Sequence, residues 1–224
     1  MYRTTLFLTL AIASASTAAG TACYKPDEIV GARYLISSSD DADKEREITI
    51  LRQTPSRLIY LSPDDHLTQV YERYSETLVK LIEYFDVESI GVEHDPAPTH
   101  PSNDWLSMYQ IFPASSLYEL KAIGESEVHC LTAVEYAGKN SDGAHVVVTY
   151  LPQIDLPASI RRETGNATKT WSLDQLVTSR MEIDQALARI NTYTLYDFAD
   201  LGDNEQEDFF RKSRYLQYKL GHKH

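Results

Sequence analysis

The chain has 224 residues and a formal net charge of −12, with 33 acidic side chains against 21 basic ones. A surface this acidic excludes nucleic acid and anionic membrane as partners, because both require a basic footprint. The length allows one domain with a substantial core, and 42% hydrophobic residues is the share of a globular chain rather than a disordered one.

The N-terminus predicts export. Arg3 supplies a positive start, Leu6 to Ala13 form an apolar run, and Ser14 to Ala22 are small residues around a cleavage zone. The run is shorter than the roughly 20 apolar residues a transmembrane helix needs, and no later segment comes close. The expected product is a soluble secreted or periplasmic protein, cleaved between about Ala18 and Cys23. Residues 1–22 are then the signal peptide and 23–224 a single β-rich domain. In an oxidising compartment Cys23 and Cys130 are expected to form a disulfide that ties the mature N-terminus to the middle of the chain. The rival reading makes Cys23 a lipidated first residue, although the preceding Gly-Thr-Ala lacks the leucine usual before a lipoprotein cysteine.

From Ile29 to His94 the pattern predicts a β-meander. Ile29–Ser37, Glu47–Gln53, Arg57–Leu61, Leu67–Tyr74, Leu78–Phe85 and Ile90–His94 are short runs rich in Val, Ile, Thr and Tyr. Pro55 and Pro63 punctuate them with turns, and connections this short imply antiparallel pairing. The three prolines between Asp95 and Asp104 predict a loop, after which Asp104 caps a short helix ending at Met108 or Ile111. Ser115–Ile123 reads as a second short helix. Cys130–Ala137 and Ala144–Leu151 form a hairpin around Gly138, Asn140, Asp142 and Gly143. Ala158–Glu163 and Thr168–Leu173 pair around Gly165 and Asn166. Met181, Ala186, Leu187 and Ile190 share a helical face, and Phe209, Phe210, Leu216 and Leu220 suggest a terminal helix. The fold class is therefore mainly β with α: about ten antiparallel strands forming an incomplete barrel or strongly curved sheet, with short helices packed on it.

Motifs for chemistry are scarce. There is no Gly-rich phosphate loop, GxSxG elbow, CxxC, HExxH or EF-hand spacing, which leans the reading away from an enzyme and implies no cofactor. His94 and His100 flank a proline-rich loop and are metal-ligand types, with His129 beside Cys130 as a further donor were the thiol free. Asp200, Asp203 and Glu205 offer hard oxygens for Ca²⁺, but at the wrong spacing for an EF-hand. The plainer roles are a solvated loop for the histidines and a helix entry capped by Asp203 or Asn204. Fifteen tyrosines are many. Leu58, Ile59 or Tyr60, Val70 or Tyr71, and Leu81 or Phe85 place large apolar side chains on consecutive strands, as a core or as one concave ligand-binding face.

The order of signal peptide, long meander, short helices, hairpin pair and helical end resembles the periplasmic outer-membrane lipoprotein carriers and sorting proteins (LolA-like). That resemblance implies an incomplete barrel around an apolar cavity closed by helices. It carries over no residue motif. The segments YDFADLGDNEQEDF, RQTPSRLIYLSPDDHLTQVYERY and LIEYF also resemble an uncharacterised secreted family of proteobacteria. The leading expectation is a non-enzymatic periplasmic carrier of an apolar ligand, a lipid or an acylated protein. The alternatives are a metal-binding protein or metal-dependent hydrolase using His94, His100 and the acidic loop, and an accessory subunit of an envelope complex.

Overall fold

The computed structural model describes residues 23–41, 44–99 and 104–199. Thirteen strands build one curved sheet that does not close. The first six are β1 (Gly31–Ser38), β2 (Arg46–Thr54), β3 (Arg57–Ser62), β4 (Leu67–Arg73), β5 (Leu78–Phe85) and β6 (Ile90–Glu93). A two-residue strand, β7 (Ala97–Pro98), follows and pairs with the start of β5. The others are β8 (Lys121–Val128), β9 (Leu131–Lys139), β10 (His145–Leu151), β11 (Leu156–Thr164), β12 (Ala167–Val177) and β13 (Thr194–Asp197). The sheet order is β13-β6-β5-β4-β3-β2-β1-β12-β11-β10-β9-β8, with β7 beside β5.

Three features correct the sequence reading. The first concerns Ser115–Ile123, which is not one helix. A 3₁₀ segment covers Ala114–Glu119, and the chain then extends into β8. The β8–β9 turn consists of His129 and Cys130, both at positive φ (54° and 63°), a conformation that two-residue hairpins usually give to Gly or Asn. No turn residue marks it in the sequence, so β8 was not legible. The proline-rich loop contributes β7, because Pro98 sits at a sheet margin where its missing N–H costs nothing. Finally, β13 adds a parallel partner to β6 in an otherwise antiparallel sheet.

Other elements fall where local signals place them. Helix α1 (Trp105–Gln110) starts at Asp104, whose Oδ1 accepts from the Ser107 N–H at 2.7 Å. Helix α2 (Arg180–Ile190) is capped by Ser179 Oγ, with Glu182 and Arg189 on the matching ends of its dipole. The Cys23 and Cys130 sulfurs are bonded, holding the start of the described chain against the β8–β9 turn.

Strand alternation gives the sheet two apolar faces. Leu51, Ile59, Val70, Ile82 and Val177 point to one, and α2 fills it with Ile183, Ala186 and Ile190. The opposite face carries Ala32, Tyr34, Ile50, Leu58 and Leu176, which cluster with Leu131, Ala133 and Leu156 from the far half of the sheet and with Trp105 of α1. One cluster can draw on β1–β5 and β9–β12 together only because the sheet curls around α1. No helix among the described residues is long and apolar enough to cross a membrane.

Candidate functional site

The concave face is only partly filled. Beneath α1 lies an open hollow of about 710 Å³. Ile48 of β2, Tyr60 of β3, Tyr71 of β4 and Leu81 of β5 wall one side, and Val146, Ile160 and Trp171 of β10–β12 wall the other. Met108, Ile111 and Phe112 form the roof. The Tyr60 and Tyr71 rings meet edge to face at 5.6 Å, and the Tyr60 hydroxyl donates to the Met108 carbonyl, so sheet and roof are joined.

Arg52 holds the roof in place. It is on the same face of β2 as Ile48 and Ile50. Its Nε and Nη2 donate to the Tyr109 carbonyl (3.0 and 2.7 Å), Nη1 to the Ile154 carbonyl (2.7 Å), and Nη2 also to the Asp155 carbonyl (2.8 Å). The guanidinium stacks over the Tyr109 ring at 4.4 Å. Burial lowers its pKa, an effect opposed by Tyr109 and Tyr34. One side chain thus fastens α1 and the β10–β11 turn to the centre of the sheet. Arg52→Met keeps the apolar stem but orphans these carbonyls. It is expected to cost about 2–4 kcal/mol in urea unfolding and to expose Trp105 to fluorescence quenchers. Arg52→Lys should restore little, since an ammonium lacks the fork that spans three acceptors.

The residues singled out from the sequence divide by strand parity. Tyr60, Tyr71 and Leu81 line the hollow. Leu58 shares their face but is fully buried in the core with Tyr34 and Ile50. Val70 faces the opposite way, beneath α2. Phe85 is buried at the end of β5, across from Leu67 and Ile90. His94 Nε2 lies 2.9 Å from Oε2 of the buried Glu83, and its ring stacks on Phe198 at 4.8 Å. His100, Asp200, Asp203 and Glu205 lie outside the described residues, as do the stretches expected to be a signal peptide and a terminal helix. Among the described residues no three His, Cys, Asp or Glu side chains converge as ligands.

Most of the lining went unnoticed in the sequence. Ile160 and Arg162, and Lys169 and Trp171, are i,i+2 pairs on strands already expected to form a hairpin, so the Gly165 turn would have placed them side by side. Nothing local indicated that this hairpin would face Tyr60 and Tyr71.

No family model matches the chain, and no curated protein matches it. Among solved structures, the Pseudomonas aeruginosa MucA/MucB complex overlaps at a TM-score of 0.36 and 11% identity, over 66% of this chain and 50% of that one. This chain therefore spans about half the length of the one it overlaps there. An uncharacterised conserved protein from Thermus thermophilus gives 0.29 at 11% identity, over 76% and 93%. A DUF1329 family protein from Desulfovibrio piger gives 0.31 at 11%, over 66% and 84%. At TM-scores this low the overlaps assign neither a family nor an activity to this chain.

Proposed function

We propose that this protein is a non-catalytic carrier of an oxidising extracytoplasmic compartment, and that it holds one acyl chain in the hollow beneath α1. The observation that carries this reading is the hollow itself. Protein interiors pack to crystal density and leave few voids larger than a water molecule, whereas small-molecule sites usually span about 300–1,000 Å³. A volume of about 710 Å³ walled by Ile48, Tyr60, Tyr71, Leu81, Met108 and Trp171 suits an apolar chain. The Cys23–Cys130 bond supports the compartment, because structural disulfides persist where thiols are not kept reduced.

The test is binding of saturated acyl probes of increasing length, followed by displacement of a fluorescent fatty-acyl reporter and by native mass spectrometry. Affinity should rise about fourfold per added methylene until the hollow is full, the equivalent of ~0.8 kcal/mol per buried CH₂. Leu81→Gln and Met108→Gln should weaken binding by tenfold or so while the melting curve stays cooperative, as expected when roughly 1.5 kcal/mol or more of apolar contact is lost. Affinity that does not depend on chain length, or no binding of any acyl probe, would overturn the proposal.

A further inference from the structure

In a chain with net charge −12, one end of the hollow is positive. Alternation along β12 puts Lys169 on the same face as Trp171, and along β11 it puts Arg162 on the same face as Ile160; all four line the hollow. Lys169 and Arg162 are paired directly across β11 and β12. Like charges in that position repel, and strands normally avoid the pairing. On the other flank, Ile36 of β1 links Trp171 to Arg46 of β2 in a single cross-strand row. Ile48, Lys169 and Trp171 also wall a second hollow of about 370 Å³, to which Arg46 and Lys44 contribute. The two spaces share these walls, so the apolar hollow adjoins a cationic mouth at Trp171.

Two of the three cations Arg46, Arg162 and Lys169 have no ion-pair partner among the described residues. Arg162 pairs with Asp142, while Arg46 and Lys169 form no ion pair among the described residues. Of the acids at the mouth, Glu47 is engaged by Arg33 at 3.3 Å, which leaves Asp65. Lys169 is exposed, and its ammonium lies 5.4 Å over the Trp171 ring beside the apolar wall. Its pKa is lowered by partial burial first, then by Arg46 and Arg162. Lys169 borders both spaces, Arg162 the first and Arg46 the second, so the three cations gather where the two hollows adjoin.

We propose that Arg46, Arg162 and Lys169 form a site for the oxyanion headgroup, carboxylate or phosphate, of a single-chain amphiphile whose tail occupies the hollow. This rests on the carrier reading above and adds the ligand's polarity and direction: head at the β1–β2–β11–β12 mouth, tail toward Tyr71 and Leu81. Arg162 supplies a planar fork and Lys169 a point charge, which together suit either oxyanion.

The experiment compares amphiphiles of one chain length and different head: laurate, dodecyl phosphate, the neutral dodecyl maltoside and the cationic dodecyltrimethylammonium, each below its micellar concentration. Both anions should bind about tenfold or more tightly than the neutral head, and the cation most weakly, as charge-assisted contacts require. Lys169→Gln and Arg46→Gln should each lower anion affinity about tenfold, a larger loss than for dodecyl maltoside, and leave the melting temperature equal or higher. Lys169→Arg should retain the anions. Added salt should weaken the anions alone. A preference between laurate and dodecyl phosphate identifies the headgroup, and either order supports the site. A neutral head binding as tightly as the anions would overturn the headgroup site and leave the carrier reading standing, as would variants that weaken all heads equally. No binding by any of the four would overturn both.

Discussion

Cys130→Ser is expected to remove about 4–5 kcal/mol of stability, the chain-entropy value for a loop of about 107 residues. That is a large part of the 5–15 kcal/mol that usually holds a domain together. The bond joins the start of the described chain to a turn whose two residues, His129 and Cys130, both sit at positive φ. Outside glycine such a backbone costs on the order of 1 kcal/mol per residue, so the turn needs support. It receives a Tyr24 N–H donated to the His129 carbonyl at 3.3 Å and an edge-on contact between those two rings. Without the bond, the edge pair β8–β9 should loosen first, since β8 is exposed along nearly its whole length. Hydrogen exchange should show protection lost in β8 and β9 before β2–β5, and chemical unfolding should show the shift in midpoint. Equal stability of Cys130→Ser and the reduced and oxidised parent proteins would count against any structural role for the bond.

Alkaline solution should unfold the protein steeply. Burial raises the hydroxyl pKa of Tyr34, Tyr60, Tyr71 and Tyr150 well above the usual tyrosine range, with Glu83 adding to the rise at Tyr71 and Asp155 at Tyr150. Their hydrogen bonds fit neutral donors: Tyr34 to the Pro157 carbonyl at 2.9 Å and Tyr60 to Met108. A folded pKa above the unfolded one means stability is complete below the unfolded value, near pH 10, and falls as pH rises toward the folded value. Above that point the unfolded chain releases protons that the native state retains. Each such tyrosine then costs about 1.4 kcal/mol per pH unit, or about 6 kcal/mol for all four near pH 11. Ultraviolet difference absorbance and near-ultraviolet circular dichroism should therefore change together in one cooperative step. Smooth ionisation of every tyrosine around pH 10 with the dichroism intact would show that these four are not protected.

Much of the strand pattern was legible because it is local. β1 to β6 and β9 to β12 are short runs rich in Val, Ile, Leu, Thr and Tyr, and Pro55, Pro63, Gly143 and Gly165 end the runs. Asp104 announced α1 because a carboxylate before an apolar run accepts the helix's first free N–H groups, and the i,i+4 pattern of Ala186 and Ile190 marked α2. The β8 strand failed that test: its turn carries His129 and Cys130 where glycine or asparagine would have marked it.

The sequence by itself determined where strands run and which residues alternate along them. It could not determine which face is hollow, because Ile59 and Val70 are as apolar as Tyr60 and Tyr71. The tertiary structure decided that. Pairing of β1 with β12 curls the sheet, α2 packs on one face, and α1, six residues long and pinned by Arg52, covers only part of the other. The same curl brings Lys169 and Arg162 beside a cavity begun by strands about 100 residues earlier in the chain. A pairing between distant segments leaves no periodicity to read, since its stability comes from surface buried only once the sheet has closed on the helix.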